Sequence, residues 1–172
     1  MQDTDTNQGN DVLPDTKKLT VTALAWLGRQ EYSIAKFTKK LKDNHASDEQ
    51  VQNIVEEFCA RNWLSEQRYC EGFVRARIAK GQGKIRILND GRGHQLDSDI
   101  LNEAIDTQEV DWFELALGTY VKRYGSGTQV KSMDIKEKAK RMRFMQYRGF
   151  TMEQVDYAMD EAANEADGEQ ND

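Results

Sequence analysis

The chain has 172 residues, with 24 Lys plus Arg against 30 Asp plus Glu, 2 His and a formal net charge of −6. Its mean hydropathy is −0.83, and its length suits one domain or a few small repeats with a buried core. No run approaches the roughly 18 consecutive apolar residues of a membrane span, and the opening Met1, Gln2, Asp3, Thr4, Asp5 lacks the order of a secretion signal, so a cytoplasmic protein is expected.

After a polar leader containing the only proline, Pro14, the apolar spacing predicts helices throughout. The first covers about residues 18–29 with Leu19, Ala23, Trp26 and Leu27. The alternation in Leu19, Val21 and Ala23 also fits a strand, but its continuation favours helix. Ser33 caps a second helix bearing Ile34, Phe37 and Leu41. Ser47 with Gln50 forms a capping box before Val51, Ile54, Val55 and Phe58. Ser65 caps a fourth helix, with Tyr69, Phe73 and Ala76 as its inner stripe and Arg75, Arg77 and Lys80 around its outer part. Gly81 and Gly83 end it. A short basic segment through Lys84, Arg86 and Leu88 follows, and Asp97 then caps a helix bearing Ile100, Leu101, Ala104 and Ile105.

Trp112, Phe113, Ala116, Tyr120 and Val121 mark the next helix, which stops at Gly125 before a loop from Ser126 to Ser132. A basic helix with Ile135, Ala139, Met142 and Met145 on one face ends at Gly149. Thr151 with Gln154 makes a second capping box ahead of Met152, Val155, Ala158 and Met159. One unit thus occurs three times: a helix with aromatic anchors, a middle helix with basic residues, and a capped third helix. The expected fold is all-α, three tandem three-helix repeats over residues 18–65, 66–108 and 109–164, flanked by an acidic disordered leader, 1–17, and an acidic tail, 165–172. Units of this size are stabilised by stacking on neighbours, which implies an elongated, curved body with a long surface.

Charge is distributed unevenly along this array. Every Lys and Arg lies between Lys17 and Arg148, while the two ends carry 12 of the 30 acids, so residues 17–152 are net positive by 6. Residues 75–92 hold Arg75, Arg77, Lys80, Lys84, Arg86 and Arg92 against Asp90. Residues 136–148 hold Lys136, Lys138, Lys140, Arg141, Arg143 and Arg148 against Glu137. A single basic run is often only a solvated helix face, but two in an acidic protein point to a polyanionic partner.

No catalytic pattern competes with that conclusion. Gly81, Gln82, Gly83, Lys84, Ile85 superficially resembles a phosphate loop, but the first glycine of the full motif falls at Ile78 and the hydroxyl residue at Ile85; it reads as a helix stop. No H-E-x-x-H, G-x-S-x-G or EF-hand pattern occurs; His45 has no acid or nucleophile partner fixed by spacing, and His94, among glycines and arginine, reads as a turn residue or a phosphate neighbour. Cys59 and Cys70 build no disulfide framework or zinc site and read as packing or surface residues. No catalytic residue, metal, cofactor or small-molecule substrate is expected.

Several segments together resemble the RecX family of regulators of the RecA recombinase, over about residues 20–162. They are Ala23 to Leu27 with Glu31, Tyr32 and Ser33; Trp63, Leu64, Ser65, Glu66, Gln67, Arg68, Tyr69 with Phe73 to Arg77 and Lys80 to Gly83; and Asp111, Trp112, Lys122 to Gly125, Lys136 to Ala139, Arg143, Phe144 and Tyr147 to Phe150. One stretch departs from the family pattern: Gly91 stands where an apolar contact is usual and Gln95 where a glycine cap is usual. Two glycines at 91 and 93 are expected to shorten or fray the middle helix of the second repeat, which puts Arg92 in doubt as a fixed contact.

The resemblance implies a non-enzymatic modulator that binds RecA and its filament on single-stranded DNA and restrains filament growth, ATP hydrolysis, strand exchange and co-protease activity, within DNA repair and the SOS response. The candidate partner- or DNA-binding residues are Arg75, Arg77, Lys80, Lys84, Arg86, Lys136, Lys140, Arg141, Arg143 and Arg148. Arginine suits acidic protein surface and DNA phosphates alike through its planar donor fork. The helical spacing of Tyr147 and Phe150 favours core roles. The alternative is a single-stranded DNA-binding protein that competes with the recombinase for DNA; an adaptor stacking on another helical protein is a third class. The acidic tails are expected to repel DNA or to compete for the basic faces.

Overall fold

The computed structural model describes residues 14–164, the side chains of residues 128 and 129 excepted. The leader residues 1–13 and the acidic tail 165–172 lie outside the described residues. Within them every regular element is helical: α1 (Thr16–Leu27), α2 (Ile34–Asp43), α3 (Asp48–Ala60), α4 (Glu66–Ala79), α5 (Lys84–Gly93), α6 (Ser98–Asp106), α7 (Trp112–Tyr124), α8 (Thr128–Lys131), α9 (Ile135–Tyr147) and α10 (Met152–Asn164). The fold is an all-α repeat of three-helix sets, the third carrying the single turn α8 inside the segment expected as loop. Two compact units divide the chain, Met1–Ser65 and Glu66–Asp172.

In the first unit Asp15 caps α1 by accepting from the Lys17 N–H at 2.8 Å, so the helix begins inside the stretch expected as leader. The Ser47–Gln50 capping box forms in full: the serine Oγ accepts from the Gln50 N–H, and the Gln50 side chain accepts from the Ser47 N–H. Such a cap contributes roughly 1 kcal/mol. Leu19, Ala23, Phe37, Leu41, Ile54, Phe58 and Leu64 pack as one core. Phe37 is its hub, fully buried and in ring contact with Trp26, Tyr32 and Phe58.

The second unit holds two cores. One gathers Cys70, Phe73, Val74, Ile87, Leu101, Ala104 and Ile105 from α4, α5 and α6. The other gathers Ala116, Tyr120, Met145, Phe150, Val155, Ala158 and Met159 from α7, α9, α10 and the turn before α10. Ala76, expected on the inner stripe of α4, is exposed; Val74 and Cys70 take the inner positions instead. Thr151 and Gln154 form their capping box at the start of α10.

The glycines of α5 do not shorten it. The helix runs through Gly91 to Gly93, and Gly91 is buried because Leu101 of α6 packs against its α-carbon, where any Cβ would overlap the leucine Cδ2. A helical glycine costs about 1 kcal/mol relative to alanine, whereas burying a leucine side chain contributes about 1.5–3 kcal/mol, so packing wins. Gln95 takes the left-handed turn that follows, at φ 57°, and the Leu96 N–H closes on the Gly91 carbonyl at 3.1 Å. His45 does the same after α2, at φ 62°, with Ala46 closing on Leu41. Non-glycine residues thus make the C-terminal turn that glycine usually makes.

Candidate functional site

The two basic segments, far apart in sequence, adjoin within the second unit. The turn between α4 and α5 lies against the turn between α9 and α10: the Gly83 N–H donates to the Arg148 carbonyl at 2.8 Å and the Ile85 N–H to the Gly149 carbonyl at 3.2 Å. Arg148 Nε donates back to the Gly81 carbonyl at 3.1 Å. A Cβ on Gly83 would overlap the Gly149 carbonyl, and one on Gly149, at φ 93°, would overlap Arg86. Glycine at both positions therefore permits the backbone approach that brings the segments together.

Around this junction the cations differ in exposure and in their carboxylate partners. Lys80, Arg75, Lys136, Lys140 and Arg143 are exposed. On α9, Lys136, Lys140, Arg143 and Tyr147 recur at helical spacing and make one outward stripe. Tyr147 is 69% exposed, contrary to the expected core role, while Phe150 is buried as expected. The Arg86 guanidinium stands over the Tyr147 ring, 4.8 Å from its centroid. Contact with Tyr147, then with Asp90, raises the Arg86 pKa.

A second group is tethered by carboxylates. Asp90 lies between two guanidiniums, 3.4 Å from Arg77 Nε and 3.0 Å from Arg86 Nε. Arg77 does not point outward as expected. Its guanidinium stacks on Phe73 with the carbon 3.3 Å from the ring centroid, and burial lowers its pKa despite Asp90. Lys84 pairs with Asp106 at 3.2 Å, Arg75 lies 3.9 Å from Glu71, and Lys140 pairs with Glu137 at 3.3 Å. These exposed pairs are weak and leave the cations able to exchange partners.

Arg141 stands apart. It is 9% exposed, donates from Nη1 to the Tyr120 hydroxyl at 3.0 Å and from Nε to Glu137 at 3.1 Å, and lies 4.7 Å from the Tyr124 ring centroid. Burial works against its charge, but the Tyr120 and Glu137 contacts outweigh it and its pKa is raised. Arg141 serves the third repeat's interior and is not presented to a partner. Arg92, by contrast, is exposed on the intact end of α5.

Beside the junction a groove of about 540 Å³ opens among α4, α7 and α9. Lys80, Lys122, Arg123 and Arg148 line it over an apolar wall that includes Leu115 and Phe144. Arg123 and Arg148 each lie 5.9 Å from the Phe144 ring centroid. Lys122 and Arg123 form no basic run, being only two residues at the end of α7. Their signal was helical phase: Leu115, Thr119 and Arg123 recur every four residues, in a stripe that adjoins the buried Ala116 and Tyr120. Among the described residues no group of His, Cys, Asp and Glu is placed to hold a metal ion, and no helix is long and apolar enough to cross a membrane.

Comparison with known proteins gives a consistent result. Residues 65–105 match the family model described as RecX, second three-helix domain, and residues 109–159 match RecX, third three-helix domain. A regulatory protein RecX of Acinetobacter baylyi is 36% identical over 136 residues, 79% of this chain and 82% of its own. Regulatory protein RecX of Actinobacillus pleuropneumoniae is 32% identical over 143 residues, 83% of this chain and 91% of its own. The crystal structure of RecX from Lactobacillus salivarius shares the fold, with a TM-score of 0.72 at 17% identity over 86% of this chain and 96% of that one.

Proposed function

The chain belongs to the RecX family of regulatory proteins, and we propose that it regulates the RecA recombinase by binding RecA and its filament on single-stranded DNA. In this role it acts by binding rather than by chemistry. It mainly restrains filament growth, with ATP hydrolysis, strand exchange and co-protease activity following, in DNA repair and the SOS response of the cytoplasm.

The observation that carries the proposal is the convergence of the two basic segments at the Gly83–Gly149 contact. It places Arg86, Arg148 and the outward stripe Lys136, Lys140 and Arg143 on adjoining elements of one unit. A filament offers two anionic elements together, the DNA phosphates and acidic protein surface. Several weak charge contacts on one compact unit bind such a target by avidity, without any single strong pair. Arg75, Lys80 and Lys84 extend the same positive field.

Tyr147 favours a second reading, a competitor for single-stranded DNA. An exposed ring beside an arginine suits base stacking with a phosphate alongside. Binding of the fluorescently labelled chain to RecA–DNA filaments and to the same naked DNA, over a salt series, separates the two. Filament binding much tighter than DNA binding at about 0.15 M salt supports the proposal. Equal affinities with the steep salt slope of counterion release support competition instead.

A further inference from the structure

The groove among α4, α7 and α9 holds charge that no carboxylate around it answers. Lys84, Lys140, Arg77 and Arg86 each face a carboxylate, whereas among the described residues none of the groove's Lys80, Lys122, Arg123 and Arg148 forms an ion pair. The one carboxylate in its lining, Glu114, accepts from the Tyr157 hydroxyl at 2.7 Å. Four cations around one cavity match a compact polyanion. Its volume, about 540 Å³, falls in the roughly 300–1,000 Å³ range of small-molecule sites.

The α7 wall is graded along its length. Leu115, Gly118, Thr119 and Lys122 follow one face of the helix, and Leu115 and Lys122 are two turns apart, about 10 Å along the axis. Apolar surface thus gives way to charge. Between them Gly118 leaves open space, since a Cβ there would meet nothing within 4 Å. A ligand that suits this gradient joins a flat ring to a chain of phosphates, whose oxygens arginine forks and lysine ammonium groups both bind. An extended acidic peptide suits it less, because helical walls have their backbone groups paired and leave the peptide's amides without partners.

We propose that this groove binds a free nucleoside triphosphate as an effector, with its phosphates among Lys80, Lys122, Arg123 and Arg148 and its base in the space over Gly118 towards Leu115. Arg148 connects such a ligand to the junction of the basic segments. Its Nε donates to the Gly81 carbonyl at 3.1 Å, and its carbonyl accepts from the Gly83 N–H at 2.8 Å. An occupied groove therefore bears on the turn that holds those segments together. The site stands on this geometry alone, independently of the RecA reading.

The test is amide NMR of the full chain in about 0.15 M salt without magnesium, titrated with ATP, tripolyphosphate and adenosine. ATP should shift the amides of Gly83, Gly118, Thr119, Lys122 and Arg123 and bind about tenfold more tightly than tripolyphosphate, through burial of the base, while adenosine binds only weakly. Lys122→Glu with Arg123→Glu should weaken both phosphate ligands by more than about tenfold. Gly118→Leu, which fills the open space at an exposed position and alters no charge, should bring ATP down to the affinity of tripolyphosphate and leave tripolyphosphate unchanged. Equal affinities for ATP and tripolyphosphate in the unaltered chain, or a Gly118→Leu chain that still prefers ATP, would overturn the proposal. So would ATP shifts confined to the outward stripe of α9. Tighter binding in the groove by a short single strand of DNA, or by a glutamate-rich peptide, each of the same charge as ATP, would overturn it in favour of a strand or a protein partner.

Discussion

The Gly149 carbonyl lies so close to Gly83 that position 83 has no room for a side chain, and Arg86 leaves none at position 149. Through this contact the α4–α5 turn receives the carbonyls of Arg148 and Gly149, and Arg86 reaches Tyr147. Alanine at Gly83 forces the turns apart. We expect Gly83→Ala to lose about 2–3 kcal/mol of stability, in the range of overpacking, measured by urea unfolding. The same variant should weaken filament binding, since the two basic segments no longer meet in register. An unchanged urea midpoint would mean that the turns separate freely.

Arg141 and Arg143 are two residues apart and have opposite roles. Arg141→Met strands the buried Tyr120 hydroxyl, leaves Glu137 with Lys140 alone, and should cost about 1–3 kcal/mol of stability, with little change in filament affinity per folded molecule. Arg143→Glu should leave the thermal midpoint nearly unchanged and weaken binding several-fold. The pair of measurements, melting and binding, checks the division of cations between interior and surface.

Gly91→Ala gains about 1 kcal/mol of helix propensity but drives a methyl into the buried Leu101. Since Leu101 has little room to move, we expect a net loss of about 1–2 kcal/mol. Leu101→Val in the same chain should recover part of it. A double-mutant cycle reads the coupling directly, and additive losses would deny the contact.

The two thiols should differ sharply. Cys59 is exposed, whereas burial, then the neighbouring Glu66, Asp97 and Glu71, push the Cys70 thiol up from 9.0 to about 12. At pH 8 a thiol reagent should modify one cysteine quickly in the folded chain and the second only on unfolding. Because the folded value is raised, the stability linked to Cys70 is fully present below pH 9. It is lost as pH rises from 9 towards 12, where the unfolded thiol ionises first. Alkaline unfolding that a Cys70→Ala variant does not shift would contradict this.

Local signals were legible in the sequence because they act over a few residues. The boxes Ser47–Gln50 and Thr151–Gln154 and the caps Ser33 and Asp97 all sit where short-range hydrogen bonding places them. The apolar period located α2, α3, α6 and α10, and the basic runs located α5 and α9. What the sequence hid was long-range. Arg141 meets a tyrosine 21 residues away and Arg148 a carbonyl 67 residues away, so nothing near either arginine tells interior from surface. Arg77 was misplaced for the same reason, because Asp90 and Phe73 draw it inward. Gly91 looked like a helix breaker until Leu101 supplied the missing contact. Tyr147 kept a helical spacing that suggested core, yet the stripe it continues, Lys136, Lys140 and Arg143, faces outward.

The most direct measurement is RecA ATPase on single-stranded DNA as this chain is titrated in, beside its binding to the same DNA without RecA. If the chain acts on the filament, hydrolysis should fall at concentrations well below those that coat the naked strand. The variant with Lys136→Glu, Lys140→Glu and Arg143→Glu should need several-fold more protein for the same effect. A fall that begins only when naked DNA is saturated would contradict action on the filament, and hydrolysis that never falls would contradict regulation of RecA.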